Sequence, residues 1–256
     1  MQMSDKSGNN SATKILSAIT FMLIGAFCAA SPAFATTTIP ASERQVLATL
    51  YHVTNGTRWT DATGWGGPAG TECKWKGIKC IQTGKCVILL GGGIVCPGHI
   101  AEIDLSENNL IGEFQLVHLD GLPYLSSFDA SYNMLYGTIP DFSQTAMTFF
   151  DVDSNILGGG IPALRNPLQE FTAEHNQLTG SIPPLQGLVN LGIFDVADNK
   201  LTGQLPALSG LPALSIFSAW KNQLTGPIPA LGTSSQLSVF SVSYNQLTGS
   251  IPALQD

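Results

Sequence analysis

The 256-residue chain is poor in charge. Asp, Glu, Lys and Arg make up only 11% of it, under half of the roughly 25% usual for globular domains. That scarcity, together with 27 glycines and 15 prolines, excludes coiled coils and helical bundles, which need long runs of helix formers laced with ion pairs. Basic residues are scarcest: 11 Lys and Arg against 18 Asp and Glu leave a net charge of −7. No basic face is available to meet nucleic-acid phosphates. There is no Cys-x-x-Cys pair, no nucleophile elbow and no zinc motif, and His52, His99, His118 and His175 are dispersed. Metal-centred hydrolysis and triad chemistry therefore lack their sequence signatures. No segment reaches the ~20 apolar residues that span a bilayer. Hydrophobic residues at 44% exclude disorder in turn.

The apolar run Ile15–Ala30 follows Lys6 and Lys14 and precedes the small-x-small site Ala33-Phe34-Ala35. Residues 1–35 are therefore expected to be a secretory signal peptide. The remainder holds four cysteines, Cys73, Cys80, Cys86 and Cys96, an even number that in an exported chain reads as two disulfides. Three pairings exist, and short loops favour Cys73–Cys80 with Cys86–Cys96. A zinc site is the rival use of these thiols, disfavoured by the spacing and by the oxidising compartment. Residues 36–99 form a first region, residues 100–256 a second.

The second region repeats itself. Asn108, Asn133, Asn155, Asn176, Asn199, Asn222 and Asn245 recur at steps of 25, 22, 21, 23, 23 and 23 residues. Phe128, Phe150, Phe171, Phe194, Phe217 and Phe240 lie five residues before the asparagine, and small apolar residues (Ala130, Val152, Ala173, Val196, Ala219, Val242) lie three before it. Ile103 and Leu105 take these places in the first copy. The period of two marks a short strand with one buried face. The asparagine amide both donates and accepts, so stacked copies can satisfy turn backbone inside the stack. A leucine two residues after it re-enters the core, glycine permits a turn, and Ile/Leu-Pro closes six of the seven copies. One copy cannot bury its own apolar face, whereas seven stacked copies can. Irregular or short helical segments such as Pro206–Leu211 are expected to cover the other side.

The pattern L-x-x-N-x-L-x-G-x-I-P resembles the plant-type leucine-rich repeat of plant receptor ectodomains and polygalacturonase-inhibiting proteins. Glu43–Trp65 followed by Cys73-Lys-Trp-Lys-Gly-Ile-Lys-Cys80 resembles their N-terminal cap. The resemblance covers residues 42–256. It implies an α/β solenoid: a right-handed leucine-rich-repeat superhelix, or horseshoe, with a parallel concave β-sheet and a disulfide-linked N-terminal cap. Two departures stand out. Lys85–Pro97, with its glycine triplet, is an insertion expected to form a hairpin or loop pinned by Cys86–Cys96. After the seventh Ile-Pro no paired-cysteine cap follows, so the last apolar layer is expected to be open.

The outward strand positions lie six, four, two and one before each asparagine. Ten of these 28 residues are acidic: Glu102, Asp104, Glu107, Asp129, Asp151, Asp153, Glu170, Glu174, Asp195 and Asp198. Only Lys221 is basic. The sixth and seventh copies instead present Ile216, Val239, Trp220 and Tyr244. Like charges on neighbouring strands repel by roughly 1–3 kcal/mol per pair at ~5 Å, a cost that stability alone would not choose.

The expected site is therefore a face of Asp104, Asp129, Asp151, Asp153, Glu174, Asp195 and Asp198 with Trp220 and Tyr244 as aromatic anchors. Its expected partner is a cationic protein, with no cofactor, no metal, no nucleic acid and no membrane span, on a secreted monomer. The competing readings are a merely solubilising acidic surface, a cell-surface adhesion component that self-associates, Ca²⁺ held by Asp151, Asp153 and Glu174, and a carbohydrate-active enzyme using paired carboxylates. An open curved sheet offers no water-excluding pocket for the last. The resemblance implies that polygalacturonase inhibitors use a similar concave face, acidic positions included, against a secreted enzyme. In the first region Arg44, Arg58, Lys74, Lys76, Lys79 and Lys85 read as a solvated face, and Trp59, Trp65 and Trp75 as core over the first repeat. Asn55-Gly-Thr57 is a glycosylation acceptor in a eukaryotic host.

Overall fold

The computed structural model describes residues 39–81, 87–88, 94–95, 98–231 and 236–252, all within the unit Thr37–Asp256. The expected leader and the expected Cys86–Cys96 pairing lie outside these residues.

The repeats stack as the asparagine period requires. Seven strands pair in parallel in one sheet: Ile100–Asp104, Ser127–Asp129, Phe149–Asp151, Glu170–Thr172, Ile193–Asp195, Ile216–Ser218 and Val239–Ser241. Ile78–Cys80 from the cap adds an antiparallel eighth strand beside Ile100–Asp104. The fold is a leucine-rich-repeat solenoid. On another side of the coils, Ile111–Glu113, Met134–Thr138 and Ile156–Gly158 form a second parallel sheet, and Thr225–Pro227 pairs with Gln246–Thr248. The Pro206–Leu211 segment is irregular, as expected.

Two ladders hold the stack. The first is a spine of phenylalanines. Phe114, Phe128, Phe150, Phe171, Phe194, Phe217 and Phe240 stack with centroids 5.5 to 5.7 Å apart. All but Phe240 are fully buried. Each buried aromatic ring contributes on the order of 2–3 kcal/mol through area removed from water. The second is the asparagine ladder. Asn133 Nδ2 donates to the carbonyls of Leu105 (2.8 Å), Ala130 (3.0 Å) and Ser131 (2.9 Å). Its Oδ1 accepts the N–H groups of Asn108 (3.1 Å) and Leu110 (2.8 Å). The same bridging to the preceding coil recurs at Asn155, Asn176, Asn199, Asn222 and Asn245. Buried turn carbonyls that would otherwise lose water thus find partners.

The cap closes the first coil. Helix Ala41–Val53 buries Val46, Leu47 and Leu50, one apolar stripe at helical spacing. Tyr51, Trp59, Trp65 and Trp75 pack in series with centroids 5.3, 4.8 and 5.1 Å apart, so the tryptophans are core, as expected. Arg44 does not belong to a solvated face: it pairs with buried Glu72 and lies 5.2 Å from the Trp75 ring. Buried Glu43 accepts the Ile100 N–H (2.8 Å) and faces His99 Nδ1 (2.6 Å), tying the helix to the first parallel strand. Cys73 and Cys80 are disulfide-bonded. Gly77 has φ +78°, and the Asp104 carbonyl oxygen occupies the place a Cβ would take, so no side chain fits there. In the insertion, Val87–Ile88 pairs antiparallel with Ile94–Val95, the pairing that the hairpin of the two expected forms requires.

Candidate functional site: the open face of the parallel sheet

Strand residues on either side of each buried phenylalanine point away from the spine, and the register brings them into rows. One row runs Asp104, Asp129, Asp151, Thr172, Asp195, Ser218, Ser241. Another runs Glu102, Ser127, Phe149, Glu170, Ile193, Ile216, Val239. Asp104, Asp129 and Asp151 therefore sit on successive strands at about 4.8 Å spacing. Not every outward position is open to solvent. Ser131, Thr172, Ala197 and Ser218 are buried.

The row carboxylates have local partners that the spacing alone did not reveal. Asp129 Oδ1 accepts the Ser131 N–H (2.9 Å) and hydroxyl (2.7 Å). Asp104 does the same with Ser106 (3.2 and 2.8 Å). Asp151 accepts the Asp153 N–H and Asp195 the Ala197 N–H, both at 2.9 Å. These are Asx turns at the strand exit, and the Asp-x-Ser spacing is their sequence signal. They are not what shapes the turn. The residue just before the ladder asparagine has φ between +49° and +54° in all seven coils, including those with Thr172, Ser218 or Ser241 in the row. The carboxylates exceed what the backbone needs.

Asp153 Oδ1 also accepts the Glu174 N–H, which links two coils. Burial, reinforced by the neighbouring charge of Asp151 and by Asp195 and Glu174, pushes the Asp153 carboxyl up to about 8. Burial likewise raises Asp151, with Asp129 adding to it, and raises Asp195. Glu170 and Glu174 are raised by burial and then by neighbouring aspartates. The centre of the face holds more negative charge than it can ionise comfortably. Among the described residues, Asp104, Asp129, Asp151, Asp153 and Asp195 have no ion-pair partner.

Toward the last coils this changes. Asp198 is held below the ordinary range, first by the hydrogen bond from Lys221 (2.8 Å) and also by that from His175 (2.8 Å). His175 Nε2 lies 3.2 Å from Glu174, and the ring is a surface residue, as expected. Trp220 packs edge-on against Tyr244 at 6.5 Å, with Lys221 Nζ 5.8 Å from its ring. The site residues expected from the sequence thus share one face, as a carboxylate field over the first five coils and an aromatic pair over the last two. Sequence reasoning placed Thr172 and Ser218 in the row but missed their burial, and it missed the pairing of Lys221 with Asp198, whose signal was the 23-residue step between them. No group of three or more His, Cys, Asp or Glu among the described residues is arranged to hold a metal ion.

No protein-family model matches the chain, and no curated protein matches it. Solved structures do. A crystal structure of a pollen receptor kinase 3 superposes with a TM-score of 0.63 at 23% identity, over 83% of this chain and 99% of that one. The leucine-rich-repeat ectodomain of GASSHO1/SCHENGEN3 from Arabidopsis thaliana gives 0.53 at 28% identity, over 82% of this chain but 30% of the receptor's. That of SOBIR1, also from Arabidopsis thaliana, gives 0.49 at 20% identity, over 82% and 97%. The fold is that of plant leucine-rich-repeat receptor ectodomains. Among the described residues no helix is long and apolar enough to cross a membrane.

Proposed function

We propose that the protein is a secreted, non-catalytic binding module whose open sheet face recognises a cationic protein partner. The observation that carries this reading is the in-register row of carboxylates without ion-pair partners, held although the turns form equally well without them. A cation placed over Asp129, Asp151 and Asp195 relieves their mutual repulsion and gives Asp153 a reason to ionise. Such a face also accelerates encounter with basic partners at low ionic strength. The Cys73–Cys80 bridge supports an oxidising, extracellular setting. The GASSHO1/SCHENGEN3 ectodomain, described in complex with CASPARIAN STRIP INTEGRITY FACTOR 2, supports a protein or peptide as the class of partner. The expected partner sites are Asp104, Asp129, Asp151, Asp153, Glu174, Asp195 and Asp198 with Trp220 and Tyr244. Inhibition of a secreted enzyme is one use of such a face.

The test is affinity capture of basic secreted proteins at low salt, repeated at high salt. Wild type is expected to retain a salt-sensitive partner that Asp129→Lys/Asp151→Lys/Asp195→Lys loses. Equal capture by both proteins, or none at low salt, would sink the reading.

A further inference from the structure

The open face changes character within one sheet. Ile193, Ile216 and Val239 are register partners on successive strands, with Val239 44% exposed. Beside them lie Ser218 and Ser241, then Trp220 and Tyr244, the latter 81% exposed. Within the last two strands no carboxylate occupies this face, and the nearby cation Lys221 is already paired with Asp198. This is an apolar and aromatic surface bordered on its N-terminal side by the unpaired carboxylates of Asp129, Asp151 and Asp195.

A purely charged partner would leave this apolar half in water, and a purely apolar one would bury carboxylates without compensation. We propose that the partner presents a bipartite extended segment running across the strands, with cationic side chains over Asp129 and Asp151 and an apolar side chain seated between Ile216, Trp220 and Tyr244. This rests on the cationic-partner reading and adds its geometry. From strand Phe149–Asp151 to strand Ile216–Ser218 is three steps in the sheet, about 14 Å at ~4.8 Å per step, which an extended chain at ~3.4 Å per residue covers in roughly four residues. The two kinds of side chain must therefore be about four residues apart.

Four fluorescently labelled peptides in a Gly/Ser background test this by anisotropy on the whole protein. The first carries a lysine pair and a leucine four residues away. The second replaces the leucine by serine, the third moves it ten residues away, and the fourth keeps leucine but replaces the lysines. The first is expected to bind at least about tenfold more tightly than the other three, and Tyr244→Ser, at an exposed position, is expected to cut that advantage several-fold. Trp220→Ala should remove it, with circular dichroism checking that this half-buried site still folds. Equal binding of the first and second peptides overturns the bipartite segment while leaving the cationic-partner reading standing. Equal binding of the first and third overturns the spacing. Absence of binding by all four overturns both readings.

Discussion

Strands Phe149–Asp151 and Ile216–Ser218 are the same strand in two coils. Both place a fully buried phenylalanine in the spine, both lead to a ladder asparagine, and both are followed by a residue with φ of +53° or +54°. Their buried sides differ only in the size of one apolar residue, Val152 or Ala219, whereas their open sides differ in kind: Phe149, Asp151 and Asp153 in one, Ile216, Ser218 and Trp220 in the other. The buried side is dictated by packing, because each layer must stack on the next. The open side carries no such demand, so what stands there reflects something other than folding. The spine itself varies along the stack, and there the cause is position: Phe217 is fully buried, whereas Phe240 in the last described coil is only half-buried.

The largest expected effects break the buried side. Phe171→Ala should cost about 4 kcal/mol, the middle of the range for removing a core aromatic. Phe240→Ala, at the more open end, should cost about half as much, as read from chemical denaturation. Next, Asn176→Ala strands the buried Leu157 N–H (2.9 Å from Oδ1) and takes one donor each from the carbonyls of Val152 and Glu174, which keep those of Asn155 and Ser154. That loss should amount to about 3 kcal/mol, and Asn245→Ala, with its half-buried ladder position, to about 1 kcal/mol.

A smaller effect sharpens the contrast on the open side through pH. Asp153 binds its proton more tightly folded, at about 8, than unfolded, near 3.8. Its contribution to stability is thus fully present below about 3.8 and is lost as pH rises through about 8. Asp151, Glu170, Glu174 and Asp195 are shifted in the same direction. Asp198 is shifted the other way and weakens the fold only as pH falls below its ordinary carboxylate range. Thermal unfolding midpoints should rise from pH 9 to pH 5. Affinity for a lysine-rich peptide should move oppositely, rising from pH 6 to pH 9 as Asp153 ionises. Replacing Asp153 by Asn should flatten both trends.

The repeat was legible in the sequence because each spine and ladder position recurs at a fixed offset: Phe171, Ala173, Asn176 and Leu178 each have one buried job repeated in coil after coil. The row Asp104, Asp129, Asp151 was legible for the same reason. The second sheet was not, since its strands Ile111–Glu113, Met134–Thr138 and Ile156–Gly158 each include a glycine and alternate too briefly to show a period. Nor was the left-handed backbone at Tyr132, His175 or Lys221, residues that carry no turn signal. The neutralisation of Asp153 depends on burial and on charges from three coils, which no local window contains. The Asx turns at Asp104 and Asp129 were written in Asp-x-Ser, and they temper the cost of the charged row without explaining its presence.

The turns that carry these carboxylates form without them, which makes the charges surplus to folding. The decisive measurement is equilibrium unfolding of Asp129→Asn/Asp151→Asn/Asp195→Asn, which keeps every side-chain acceptor in the turns and removes three charges. The expected result is a protein as stable as wild type or more stable by about 1–2 kcal/mol, from relief of like-charge repulsion. A loss of about 2 kcal/mol or more would contradict it, showing that the negative charge serves the fold.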